Sequence, residues 1–197
     1  MYTLIGSYKS RAFRVLWALE EIGLAYDHIV APPHSSEVKE VSPAGKVPVF
    51  LDGDAVITDS VAIMTYLADK HGALTAPAGT IERAQQDAWV NRINDEVDAL
   101  LWTASRHSFI LPEERRVPAV KDSLKWEFAR NMDAIADELG DKEFLTGDQL
   151  TIADIILTHC GGWSIVANFP KTQKPKFADY FKRMIARPAY QAARKGV

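Results

Sequence analysis

Three stretches in the first third of the chain put chemically able residues where helices or strands begin. The first is GSYKSRAFR, residues 6–14. A strand ends there and a helix begins among Ser7, Tyr8, Lys9, Ser10 and Arg11. Cations in a first helical turn oppose the macrodipole, at about 0.3–1 kcal/mol each. Lys9, Arg11 and Arg14 make sense if an anion binds at this helix start; Ser10 also fits a plain N-cap. The second stretch is GKVPVF, residues 45–50. A proline entering a strand needs an edge or an irregularity. A cis Val47-Pro48 bond supplies one and turns the backbone groups of Val47 toward a ligand, although on its own a proline is trans by default, with only about 5–6% of X–Pro bonds cis. The third is TDSVAIMTYL, residues 58–67. Asp59 and Ser60 start a helix there. Ser60 and the free amides around it suit a carboxylate, and Asp59 suits an ammonium; simple capping accounts for both residues as well.

Other chemistries find little support. The histidines are scattered, with no HxxxH or HxH spacing, so no metal site is expected. The single cysteine, Cys160, excludes an internal disulfide, a CxxC redox pair and a thiolate zinc site. It lies in an apolar helix and reads as packing. Trp102, Arg106 and Trp163 are candidates to line a small-molecule pocket between two domains, although Trp102 and Trp163 also read as ordinary core residues. A net charge of −3 argues against a general attraction to nucleic acid. No apolar run approaches the roughly 20 residues that cross a bilayer. The first residues lack a basic segment followed by an apolar core, so no membrane partner is expected and cytoplasmic residence is the default. At 47% hydrophobic and 25% charged, the composition is that of an ordinary globular chain.

The elements that must position these residues change character near residue 75. Tyr2 to Ile5 is a short apolar strand, followed by a helix from about Ser10 to Ile22 that Gly23 stops. Tyr26 to Val30 alternates like a second strand, which makes a parallel βαβ unit. Residues 31–45 are polar and proline-bearing, mainly loop with room for a short helix. Val47 to Leu51 and Ala55 to Ile57 form a hairpin about Asp52-Gly53-Asp54. Ser60 to His71 is helical, with Ile63, Met64 and Leu67 facing inward and Gly72 as its stop. The order βαβ then ββα is the thioredoxin arrangement. After the small-residue linker 73–80, only helical periodicity remains. It is carried by Trp89, Ile93, Val97, Leu100 and Ala104, then by Leu124, Phe128, Met132, Ile135 and Leu139, and last by Phe177, Tyr180, Phe181, Met184 and Ile185. In LTGDQLTIADIIL, Thr151 and Asp154 form a capping box, with Leu150 and Ile155 at the staple positions. The apolar helix that follows belongs at the centre of the second domain. The fold class is thus α/β followed by all-α, with domains at 1–75 and 81–197.

Together, in this order and spacing, these motifs resemble the cytosolic glutathione S-transferases of bacterial type. GSYKSRAFRVLWALEEIGLAYD is similar to the first strand and helix of many bacterial members. SPAGKVPVFLDGDAVITDSVAIMTYLADKHG resembles the glutathione-binding stretch, TIADIIL the family's capping-box motif, and FKRMIARPAYQAA its C-terminal helices. The resemblance implies that Pro48 is the cis-proline and that the Val47 backbone pairs with the cysteinyl part of glutathione. It implies that Asp59 and Ser60 hold the γ-glutamyl end, and that Lys46 and the 34–39 loop lie toward the glycyl end. Many members carry Glu before the serine; Asp59 keeps the charge one methylene shorter. Family members activate the thiol with Tyr, Ser or Cys near the start of the first helix. Cysteine is absent there, and counting back from Gly23 makes Ser10 the first choice, with Tyr8 and Ser7 as the other candidates. The implied reaction is attack of the glutathione thiolate on an electrophilic small molecule, with glutathione as co-substrate and no other cofactor. A homodimer joined through the helices at Ser60–His71 and Ile81–Arg106 is implied too. The alternatives are another glutathione enzyme on the same scaffold, such as a disulfide reductase, peroxidase or isomerase, and a non-enzymatic glutathione-binding module.

Overall fold

A computed structural model describes residues 1–195 of the chain. They fall into two compact units. One comprises Met1–Arg83 together with the segment from Ile185 onward, and the other is Ala84–Met184.

The first unit is built on a four-stranded sheet in the order β2-β1-β3-β4. Strand β1 (Tyr2–Ile5) runs parallel to β2 (Tyr26–Ile29) and antiparallel to β3 (Val49–Asp52), which pairs in turn with β4 (Ala55–Thr58). Between β1 and β2 runs α1 (Ala12–Ile22), and the short α2 (Ser36–Val41) precedes β3. Helix α3 (Ser60–His71) follows β4. Both long helices of this unit end on a glycine in the left-handed region, Gly23 and Gly72, the conformation that favours a residue without Cβ. Every residue of α1 from Ala12 to Leu19 is buried. The cause is contact on more than one side: α3 packs against α1, and so does α9 (Pro188–Lys195) at the chain's end. The Tyr190 ring stands edge-on to Phe13 and Trp17, with centroids 5.1 and 4.9 Å away.

Two boundaries differ from the sequence expectation, each for a local reason. Strand β3 starts at Val49 rather than Val47, because Pro48 has no N–H to give the ladder. Helix α1 starts at Ala12, because residues 8–11 form tight turns stitched by Ser10 N–H to Ser7 carbonyl (3.0 Å) and Phe13 N–H to Ser10 carbonyl (3.1 Å).

The second unit is helical. Helix α4 (Ile81–Ile93) continues through a π turn at Asn94–Asp98 into α5 (Ala99–Ser105), and a second π turn follows at Arg106–Ile110. Then come a 3-10 turn at Glu113–Arg115, α6 (Val120–Leu139), α7 (Ile152–Val166) and α8 (Pro175–Ala186). Ile93, Val97, Leu100 and Ala104 are buried although the π turns interrupt the regular period. Helix α7 opens on the expected capping box: Asp154 accepts from the Thr151 N–H, and Thr151 is a residue in extended conformation. It is buried from Ile152 to Thr158 and again at Cys160, but its last turn emerges, leaving Val166 86% exposed. In α8, Phe177, Tyr180 and Met184 are buried, while Ile185 lies outside the core.

Candidate functional site

In the first unit, the three sequence stretches meet. Gly6 is the first junction. It ends β1 with φ at 146°, its N–H bonded to the Ile29 carbonyl at 3.0 Å and its carbonyl 2.8 Å from His28 Nε2. A Cβ placed on Gly6 would lie 2.8 Å from Ala12 Cβ, 3.2 Å from Val47 Cβ and 3.6 Å from Pro48 Cα. The turn into α1 therefore rests directly on the Val47-Pro48 loop, and only a residue without a side chain allows that approach. The Val47-Pro48 bond is cis. Pro48 is buried, and Val47 packs against a small apolar cluster of Ile5, Ala31, Val38 and Val49. Lys46 is exposed.

The second junction joins α1 to α3. Arg14, in the first turn of α1, is 1% exposed, and its Nη1 donates to Ser60 Oγ at 3.5 Å. Ser60, at the start of α3, is itself 2% exposed. Asp59 precedes it with φ at 74°, and its Oδ1 accepts from the N–H groups of Val61 (2.8 Å) and Ala62 (3.1 Å). Asp59 is thus the N-cap of α3, which leaves Ser60 without that duty. Sequence reasoning named Arg14 as a first-turn cation for an anion but missed its burial against Ser60. The available signal was a lone cation inside the apolar run AFRVLWAL. Gly6 carried no such signal.

The candidate hydroxyls lie in the turn between these junctions, and their protons differ. Ser10 Oγ donates to the Ser7 carbonyl at 2.6 Å and accepts from the Ala12 N–H at 3.1 Å, so its single proton is engaged. Ser7 Oγ accepts from the Lys9 N–H at 3.2 Å and keeps its own proton for another acceptor. The Tyr8 ring is half-buried, with Lys9 Nζ 5.6 Å from its centroid. In the neighbouring loop, the His34 N–H bonds to the Gly45 carbonyl at 2.7 Å, and Ser35 caps α2 through the Val38 N–H.

The other predicted residues lie in the second unit. Trp102 sits half-buried on α5 and Trp163 half-buried on α7, with its ring 6.2 Å from that of His159. Arg106 is exposed in the second π turn, its Nη2 bonded to Thr103 Oγ1 at 3.2 Å. Cys160 is fully buried, with its Sγ 3.8 Å from Asp98 Oδ2. Among the described residues, no group of three or more His, Cys, Asp or Glu is placed to hold a metal ion. Likewise, no described helix is long and apolar enough to cross a membrane.

Chemically, the first unit offers a hydroxyl backed by a buried guanidinium, the start of a helix, a backbone bend beside a cis-proline, and a serine with a free proton. The comparisons with known proteins agree on one family. The family model described as "Glutathione S-transferase, N-terminal domain" matches residues 4–77, and the one described as "Glutathione S-transferase, C-terminal domain" matches residues 98–188. The glutathione S-transferase GstA of Escherichia coli O157:H7 is 31% identical over 156 residues, covering 78% of this chain and 74% of that protein. Probable elongation factor 1-gamma 2 of Arabidopsis thaliana is 31% identical over 168 residues, 80% of this chain but only 38% of that protein. Among solved structures, a glutathione transferase from Methylococcus capsulatus superposes with a TM-score of 0.84 at 26% identity, covering 100% of this chain and 98% of the other.

Proposed function

Since the chain belongs to the glutathione S-transferase family, we propose that it binds glutathione in the first unit and transfers its thiolate to an electrophilic small molecule. The observation that carries this reading is the convergence of the Ser7–Arg11 turn, the cis Val47-Pro48 loop and the Asp59-Ser60 helix start, through the contacts at Gly6 and between Arg14 and Ser60. Val47 supplies backbone groups to the cysteinyl part. The α3 start, with Ser60 foremost, takes the γ-glutamyl carboxylate, and Asp59 lies at hand for its ammonium. Lys46 and the 34–39 loop face the glycyl end. Trp102, Arg106 and Trp163 are the residues we assign to the acceptor substrate.

The thiol must be ionised to attack. A free thiol near pKa 8.5 is only a few per cent thiolate at neutral pH. Lowering it by about two units needs roughly 2.7 kcal/mol of preference for the thiolate. A hydroxyl proton aimed at sulfur, helix-end amides and the cations Lys9 and Arg11 are the groups suited to provide it. Ser7 is the hydroxyl we favour, because Ser10 gives its proton to the Ser7 carbonyl.

The test is a rate measurement with an aryl halide electrophile, paired with glutathione calorimetry on the same preparation. Saturable glutathione binding with conjugate formation supports the transferase. Turnover of disulfides or peroxides without conjugation moves the chain to another glutathione chemistry on this scaffold. The elongation-factor relative favours a second reading, a binding module without catalysis. Glutathione binding with no thiolate absorbance would select it. The proposed assembly is a homodimer through α3, whose residues Ala62, Thr65, Tyr66, Asp69 and Lys70 line an open cleft, and the segment 81–106. A monomer across micromolar concentrations in sedimentation would contradict it.

A further inference from the structure

We infer that Arg14 is a positioning residue, which fixes the direction in which Ser60 donates and so makes the α3 start select a carboxylate. The inference rests on the glutathione reading above. Three bonds divide the work at this helix start. Asp59 Oδ1 takes the N–H groups of Val61 and Ala62, so the helix is capped without help from Ser60. Arg14 Nη1 donates to Ser60 Oγ at 3.5 Å, across 46 residues of sequence. A guanidinium has donors only and cannot lose its proton, so the Ser60 oxygen must act as the acceptor in that contact. The one hydroxyl proton of Ser60 is therefore turned away from Arg14, toward an acceptor on its other side.

The preferred acceptor on that side is an anion. A serine hydroxyl polarised by a cation behind it is a stronger donor than a lone serine, and a charged acceptor strengthens the bond further. Arg14 and Ser60 are both almost fully buried, so solvent screens the cation weakly. A neutral ligand group at the same place would gain little from that field. Arg14 thus acts through Ser60 and contributes discrimination rather than contact. The rival view is a plain brace, in which the guanidinium only holds α1 against α3.

Calorimetry with glutathione and with 4-aminobutanoyl-cysteinylglycine, the analogue lacking the γ-glutamyl α-carboxylate, separates the two. The proteins are wild type, Ser60→Ala, Arg14→Met and the double variant. The wild type is expected to prefer glutathione by about tenfold or more, the range of one charge-assisted bond. Ser60→Ala and Arg14→Met should each shrink that preference by a similar factor while leaving affinity for the analogue nearly unchanged. The double variant should lose no more than Ser60→Ala alone. If Arg14→Met does not fold, Arg14→Gln serves instead: its amide carries an acceptor as well as donors, so it no longer dictates the Ser60 proton, and the preference should still narrow. Arg14→Lys, which has donors only, should restore part of it. Equal weakening of both ligands by the Arg14 variants, or losses that add to those of Ser60→Ala, would leave only the brace. Wild type binding neither compound would overturn the glutathione reading and this inference with it.

Discussion

Arg187 Nε donates to Glu21 Oε1 at 2.6 Å and Arg187 Nη2 donates to Glu21 Oε2 at 2.9 Å, so two residues 166 apart in sequence fork together at the end of α1. Trp17 Nε1 gives Glu21 Oε1 a third bond at 2.8 Å. The glutamate side chain is only 10% exposed and the arginine 32%. This pair sits beside the Tyr190 contacts and ties α9 to the helix that carries the candidate site.

Most surface ion pairs contribute little, but a two-pronged, half-buried one with an indole donor is a different case. Glu21→Ala takes this carboxylate away from both the guanidinium and the indole N–H. The expected cost is about 2–3 kcal/mol, read as a lower urea midpoint. Glu21→Gln keeps an acceptor for the indole and should recover part of the loss. A midpoint unchanged in Glu21→Ala would show that α9 docks without help from this pair.

Gly6 makes a sharper prediction about the site. Gly6→Ala forces a Cβ to within 2.8 Å of Ala12 Cβ at a φ of 146°, where side chains are strained whatever the space. It should cost roughly 2–4 kcal/mol and weaken glutathione binding, since the α1 turn and the Val47-Pro48 loop must move apart. Gly53→Ala is the control. Gly53 also has positive φ, at 57°, but an added Cβ there would meet nothing within 4 Å. Its penalty should be the conformational one alone, about 1–2 kcal/mol, with glutathione affinity unchanged.

The glycines also show what could be read in advance. Gly23 and Gly72 end helices for a local reason, the missing Cβ, so sequence alone located both stops. The Thr151–Asp154 box is equally local and was legible for the same reason. The cis Val47-Pro48 bond was legible only through the family resemblance, because base rates favour trans. The starts of α1 and β3 were misplaced by about two residues, since hydroxyl bonding in the Ser7–Arg11 turn and the missing N–H of Pro48 decide them. The π turns at 94–98 and 106–110 escaped notice because Ile93, Val97, Leu100 and Ala104 keep helical spacing across the first, and the second buries no residue that could mark it. The roles of Arg14 and Ser10 depend on which acceptor each proton finds in three dimensions, and no sequence period encodes that.

Asp154 supplies a pH prediction. It is fully buried, and burial holds its carboxyl above the ordinary aspartate value, while donors at Leu145 N, Thr151 N, Tyr180 Oη and Thr151 Oγ1 pull the other way. A folded-state value raised above the unfolded one means that the unfolded chain releases its proton first. The group's stabilising contribution is then fully present below the unfolded value and is lost as pH rises through the folded value. Against Asp154→Asn, which does not titrate, the wild type should lose stability across that interval and run parallel above it. A wild type that instead gained on the variant with rising pH would mean that the hydrogen bonds outweigh burial. Asp154→Ala should cost upward of about 3 kcal/mol at any pH, because it strands several buried donors. Thermal unfolding over a pH series reads both effects.

The last prediction concerns the sulfur. If the free proton of Ser7 activates the thiol, Ser7→Ala should lower turnover while changing glutathione affinity much less, because the hydroxyl favours the thiolate and the transition state over the neutral thiol. One lost donor should cost about 2–3 kcal/mol at most, or roughly 30- to 150-fold. The pH–rate curve should shift upward with it, as the thiol's ionisation returns toward its free value. Ser10→Ala should instead act on the fold, since Ser10 Oγ bridges the Ser7 carbonyl and the Ala12 N–H. It should cost about 1 kcal/mol of stability, read as a lower urea midpoint, and leave the curve in place. Tyr8→Phe should change neither. If Ser10→Ala moves the curve and Ser7→Ala does not, then Ser10 gives up its 2.6 Å bond when glutathione arrives, and the assignment passes to it. If Tyr8→Phe alone moves it, the phenol is the donor. If all three leave it unmoved, the thiolate is held by backbone amides and cations, and Lys9→Met becomes the variant whose pH–rate curve decides.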